Sequence, residues 1–149
     1  MLPNWTIFYQ QMSTKTSLVK KNRYHIPWVL WTLIILVLSL TPGDQLPDLT
    51  LDWISPDTLS HLIMYTILSW FLLLGFGIRE KKMNRSDIRL YGGVIIAGIV
   101  LGTLIEIAQG TLIYRRHFDV ADIVANLFGT IFGAITFKWT ARKIGIINR

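Results

Sequence analysis

The sequence predicts an all-α integral membrane protein, a bundle of four helices joined by short loops, and three observations carry that expectation. Four apolar segments mark the chain, roughly Tyr24–Thr41, Leu59–Ile78, Leu90–Ile113 and Val120–Trp139. Each approaches the length a helix needs to cross a hydrocarbon core of ~30 Å. The basic residues are sorted to one side of these segments. The segments also lack the polar face of a soluble amphipathic helix, Trp28–Leu40 above all. At 149 residues, one compact domain is the ceiling.

Taken in order, residues 1–23 form a basic N-terminal segment with no apolar core ahead of its positive cluster. The first span is therefore expected to stay as an uncleaved signal-anchor. It is the shortest of the four, with Trp28 and Trp31 in its interfacial turn, and Thr41-Pro42-Gly43-Asp44 ends it with turn chemistry. Ser55-Pro56-Asp57 reads as the start of the second helix. The third carries Gly98 and Gly102, and the fourth carries Gly129 and Gly133, a small-xxx-small spacing that lets membrane helices approach closely. The membrane domain covers residues 24–139, and 140–149 form a basic tail.

Charge sets the expected orientation. Thirteen of the fifteen Lys and Arg residues lie before the first span, between the second and third, or at and beyond the end of the fourth. The other side holds Arg115 and Arg116 with the acidic residues Asp44, Asp48, Asp52 and Asp57. Positive loops stay cytoplasmic, so an inner-membrane protein with both termini inside is expected. The net charge of +6 then reflects that bias and the anionic lipid of the inner leaflet rather than a nucleic-acid partner. The absence of cysteine excludes thiol catalysis, disulfides and thiolate metal sites.

Within this apolar frame, the run from Glu106 to Asn126 is dense in charge and amide. Ionisable groups at a membrane boundary are costly and are as a rule paired or functional. Asp57, His61 and Tyr65 recur at four-residue spacing and share one stripe of the second helix. Asp57 there reads either as a favourable charge at the helix start or as part of a site. Glu106 and Gln109 share a face of the third. Asp119, Asp122 and Asn126 continue into Gly129 and Gly133 along one face of the fourth. The expectation is a bundle pinched tight in its lower half that opens into a polar pocket toward the outside. Arg116 is the obvious counter-ion for Glu106, Asp119 or Asp122, whereas Arg115 and His117 read as solvated loop residues.

These residues resemble the VanZ family of small membrane proteins. Asp57, His61 and Tyr65 match its D-K-x-x-H-x-x-x-Y signature, with Thr58 where the lysine is usual. Glu106, Gln109, Arg116, Asp119, Asp122, Asn126, Gly129 and Gly133 match its second pattern, E-x-x-Q, an arginine, then D-x-x-D-x-x-x-N-x-x-G-x-x-x-G. The resemblance runs from about Ile26 to Trp139. It implies a four-span fold and a link to teicoplanin susceptibility, the trait of the name-giving member.

Three functions remain open from the sequence. In the first, the outer pocket binds a lipid headgroup or cell-wall precursor and alters glycopeptide susceptibility, with Arg116 gripping an anion and Asn126, Gln109 and Tyr65 supplying hydrogen bonds. In the second, the protein is an intramembrane enzyme in which His61 and Glu106 exchange protons, Asp122 orients His61 and Arg116 stabilises developing charge. Ser60 lies off the His61 stripe, which argues against serine catalysis. In the third, the network only specifies assembly. No cofactor and no metal are expected: zinc held by His61, Glu106, Asp119 and Asp122 would have a single histidine, although a hard cation on the carboxylates is less excluded.

Overall fold

The computed structural model describes residues 23–42, 55–79, 88–113 and 116–143. Lys15, Lys20 and Lys21, the acidic loop of Asp44, Asp48 and Asp52, the basic loop of Lys81, Lys82 and Arg85, Arg115 and Arg149 lie outside the described residues. A single 3-10 turn, Arg23–His25, leads into α1, Ile26–Ser39. Three longer helices follow: α2, Pro56–Arg79, α3, Ile88–Leu112, and α4, Val120–Lys143. All are α-helical, and no strand occurs among the described residues.

In segments this uniformly apolar, local chemistry decides where a helix begins. Pro27 sits in the first turn of α1, where a missing N–H costs nothing. The second helix begins at Pro56, within the Ser55-Pro56-Asp57 start expected from the sequence and three residues ahead of the apolar segment that opens at Leu59. Ser55 caps it, its Oγ accepting from the Thr58 amide at 3.1 Å, and Pro56 fills the first helical position. Asp119 caps α4 in the same way, Oδ1 accepting from the Ala121 amide at 2.8 Å. At its far end α4 runs past Trp139 to Lys143, whose ammonium lies 3.8 Å from the centre of the Trp139 ring.

α2, α3 and α4 are long and apolar enough to cross a membrane, with spans Pro56–Gly77, Ile88–Leu112 and Val120–Ala141. The first helix is apolar but shorter, covering Arg23–Ser39 with its leading turn. Polarity is arranged inside out. Val37, Ile96, Leu104, Phe132 and Ile135 are exposed, while His61, Glu106, Gln109, Asp122, Asn126 and Thr130 are buried. Water would penalise that arrangement, and lipid favours it. The protein is an integral membrane four-helix bundle.

The core is formed by Ile35, Tyr65, Leu68, Leu73, Ile105 and Phe137, with the most extensive packing between α2 and α4. Glycine sets how closely these helices approach. A Cβ on Gly129 would overlap the Leu62 carbonyl oxygen, and one on Gly133 the Thr66 carbonyl oxygen. The α4 glycines therefore close on the α2 backbone, where the Thr66 hydroxyl also donates to the Gly129 carbonyl at 3.1 Å. Gly98 and Gly102 of α3 face α4 instead, where added methyls would meet Thr130 Oγ1 at 2.5 Å and Asn126 Nδ2 at 2.6 Å. Gly75, which the sequence reading did not single out, makes room for the Trp28 ring of α1.

Candidate functional site

One end of the bundle gathers the last turn of α1, the first of α2, the last of α3 and the first of α4. His61 lies at the centre of this end, 1 % exposed. Its Nδ1 is 3.0 Å from Asn126 Oδ1. A carboxamide oxygen only accepts, so Nδ1 carries the hydrogen and Nε2 of the neutral ring presents a lone pair. That nitrogen lies 3.6 Å from Glu106 Oε1 and 4.0 Å from Asp122 Oδ2. Among the described residues, no hydrogen-bond partner reaches His61 Nε2 or Glu106 Oε1, and both are buried. The Tyr65 ring stacks against the imidazole, centroids 6.4 Å apart and planes within 10°.

A polar rim surrounds this centre. Arg116, in the connection between α3 and α4, pairs with Asp57 through Nη1 and Oδ2. Its Nε approaches the Thr41 carbonyl at 3.5 Å. The Thr58 hydroxyl donates to Asp122 Oδ1 at 2.6 Å, and Ser55 Oγ lies 2.7 Å from that hydroxyl. Gln109 is spent on structure, its Nε2 donating to the Ser39 carbonyl at 2.7 Å and tying α3 to the end of α1. Glu106 Oε2 accepts a long bond from the Asp119 amide at 3.4 Å.

The structure brings Asp57, His61, Tyr65, Glu106, Gln109, Arg116, Asp122 and Asn126 to this end of the bundle, but it pairs several of them differently from the sequence reading. Arg116 takes Asp57, not Glu106, Asp119 or Asp122. The guanidinium stays at the mouth, where Asp57 is partly open to the surroundings, while Glu106 is enclosed. Asn126 orients His61 in place of Asp122, because it faces Nδ1 whereas Asp122 faces Nε2. The Asp119 side chain caps α4 and is exposed; its backbone, not its carboxylate, touches the cluster. The Tyr65 hydroxyl is buried and has no hydrogen-bond partner among the described residues. His117 is exposed.

Two contributors were missed. Thr58 was read only as a replacement for lysine, yet its hydroxyl bridges Ser55 and Asp122. Ser39 is buried against Gln109, and its sequence signal is a lone hydroxyl in the run Val37-Leu38-Ser39-Leu40.

Beside the cluster, a cavity of about 250 Å³ opens between α1 and α2. Asp57, Ser60, His61 and Arg116 give it polar walls, and Leu38 and Ile63, both exposed, flank it on the lipid side. A larger cleft of about 460 Å³ between α3 and α4 is lined by Ile95, Ile131 and Ile135, far from the histidine, with Lys138 and Tyr91 at its edge. Chemically, the cluster offers an anion grip at Arg116, a proton acceptor at His61 Nε2 and convergent oxygens beside it. Among the described residues, Asp57, His61 and Asp122 form a grouping able to hold a metal ion, their ligand atoms lying within 4.8 Å of one another.

Comparison with curated proteins and with solved structures gives no significant match. The family model described as VanZ/LLP1 matches residues 4–142, from ahead of the first helix almost to the end of the last. That span contains α1, α2, α3, all but the last residue of α4 and every residue of the cluster, and the chain belongs to the VanZ/LLP1 family.

Proposed function

We propose that this protein engages the polar head of a lipid or lipid-linked cell-envelope component at the His61–Arg116 end of the bundle, and by doing so alters glycopeptide susceptibility. The observation that carries this reading is the cavity between α1 and α2, with charged and hydroxyl groups inside and Leu38 and Ile63 at its lipid edge. That geometry suits an amphiphile entering sideways from the bilayer, its head on Arg116 and its chains against α1 and α2. Arg116 binds an anionic head by exchanging Asp57 for a phosphate or carboxylate, for which a guanidinium has paired donors. The positive-inside distribution of charge in the sequence supports an orientation with this end toward the outer leaflet of the inner membrane and both termini cytoplasmic.

A second reading rests on the unsatisfied pair His61 Nε2 and Glu106 Oε1. Buried, mutually facing acid and base groups are the equipment of proton transfer, so an intramembrane enzyme acting on the same class of substrate is the alternative.

Teicoplanin susceptibility of a Gram-positive reporter strain tests the first reading. Expression of the wild type is expected to protect, and Arg116→Ala at equal membrane abundance to lose protection. Undiminished protection by Arg116→Ala would remove the headgroup grip from the reading. Loss of protection by Glu106→Gln, with lipid co-purification unchanged, would favour the enzyme.

A further inference from the structure

Three acceptors converge at the centre of the site with no donor among them. Nε2 of His61, a residue 1 % exposed, has no hydrogen-bond partner among the described residues and points at Glu106 Oε1 and Asp122 Oδ2. Asp57 brings further carboxylate oxygen within 4.8 Å of the histidine and Asp122 ligand atoms. Among the described residues, one guanidinium, Arg116, stands against the carboxyl groups of Asp57, Glu106 and Asp122, and it pairs with Asp57, which leaves the Glu106 and Asp122 carboxyls facing the imidazole without a basic side chain of their own. Lone pairs and carboxylates turned on one another in a membrane interior call for a cation between them.

We infer that a divalent cation is held at this point by His61 Nε2 and by carboxylate oxygens of Asp122 and Asp57, with Glu106 completing the set. The spacing is close to what such an ion needs. Ligand atoms about 2.1 Å from a tetrahedral metal stand roughly 3.4 Å from one another. The separations of 3.6 and 4.0 Å close to that value with small side-chain rotations.

The outer contacts match those of a ligating histidine and carboxylate. His61 donates its other nitrogen to Asn126 Oδ1, fixing the tautomer that leaves Nε2 free. Thr58 donates to the second oxygen of Asp122, leaving Oδ2 for the ion. One imidazole with several carboxylates, and no thiol anywhere in the chain, selects Mn²⁺ or Zn²⁺ over softer ions. The cavity lined by Asp57 and His61 provides the entry path. The sequence reading expected no metal: it weighed His61 with Glu106, Asp119 and Asp122, found a single histidine and no zinc-binding spacing, and left only a hard cation on the carboxylates less excluded. The structure sets Asp57 rather than Asp119 beside His61 and Asp122.

The test needs no lipid substrate, so its outcome is independent of the headgroup reading. The full chain, with a histidine-free affinity tag, is purified in detergent, stripped with EDTA and given Mn²⁺ or Zn²⁺ singly. Metal content is measured by mass spectrometry and unfolding by tryptophan fluorescence. The expected result is about one ion per chain and a rise of several degrees in the unfolding midpoint on adding metal. His61→Gln and Asp122→Asn are expected to abolish both effects, and His117→Gln to leave them intact. Should the first two variants fail to fold, the wild-type titration decides alone. No bound metal and an unmoved midpoint at millimolar Mn²⁺ and Zn²⁺ would overturn the inference, as would full metal content in a folded His61→Gln protein. A midpoint governed by pH but indifferent to metal would assign the space to protons and overturn it equally.

Discussion

Asn126 holds His61 by a 3.0 Å contact between Oδ1 and Nδ1, and this single bond across α2 and α4 determines which imidazole nitrogen faces the carboxylates. The amide also nests over Gly102 of α3, so one side chain joins three helices. Asn126→Ala is expected to lower stability by roughly 1 kcal/mol, the scale of interhelical polar contacts in membranes. Asn126→Leu, which keeps bulk without an acceptor, is expected to lose activity in the susceptibility assay while remaining folded. Equal activity of Asn126→Leu and wild type would show that the tautomer is set by something else.

Glycine substitutions separate close packing from loose surroundings. Gly129→Ala and Gly133→Ala place a methyl against the α2 carbonyls and are expected to reduce the unfolding midpoint by several degrees, a cost of about 1–3 kcal/mol for overpacking. Gly92 has nothing within 4 Å of an added Cβ, so Gly92→Ala is expected to be neutral or stabilising by about 0.5–1 kcal/mol through helix propensity. Thermal unfolding of the three proteins in one detergent makes the comparison. A Gly129→Ala protein as stable as wild type would mean the α2–α4 contact yields readily.

Thr58→Val removes the hydroxyl that Asp122 accepts while preserving shape. Its expected cost is about 1–3 kcal/mol, because a carboxylate oxygen loses its donor. Thr58→Lys restores the residue usual in the resembling motif and is expected to be tolerated, its ammonium reaching Asp122 in place of the hydroxyl. Destabilisation by both changes alike would point to steric fit rather than hydrogen bonding.

The Arg116–Asp57 pair lies at the rim, with Asp57 more than a third exposed. Its coupling energy in a double-mutant cycle of Arg116→Ala and Asp57→Ala is therefore expected to stay within about 1 kcal/mol. Arg116 can exchange partners only if the pair is that weak. A coupling several times larger, measured by reversible unfolding, would make the ion pair a fixed strut and count against headgroup capture.

Because the chain has no cysteine, single substitutions report topology without background. A membrane-impermeant thiol reagent applied to intact cells is expected to label His117→Cys and not Met83→Cys. The reverse pattern would invert the proposed orientation.

The architecture was legible because lipid imposes a simple code: long apolar stretches, punctuated by Ser55-Pro56 and Pro42 and edged by basic residues. Same-face placement was also legible, since helical periodicity alone puts Asp57, His61 and Tyr65 on one stripe and Asp122 and Asn126 on another. Pairing was not. Periodicity gives the direction of a side chain but not which neighbour sits at the same height on another helix, so Arg116 was assigned to the wrong acids and Asp122 to the wrong side of His61. Thr58 and Ser39 escaped notice because a hydroxyl in an apolar helix is ordinarily satisfied by its own backbone, as Thr32 and Ser60 are here.

The brevity of the first helix has its own consequence for the surrounding bilayer. The 14 residues of α1 and the three of its leading turn extend about 25 Å, while the hydrocarbon slab measures ~30 Å. Local thinning of the lipid along its flank is one way for this helix to share a bilayer with its longer neighbours, a hydrophobic mismatch that draws headgroups inward. The cavity opens on that flank, beside Leu38 and Ser39. A bilayer thinned on this flank would stand lower at the entrance and shorten the climb of a lipid head to Arg116.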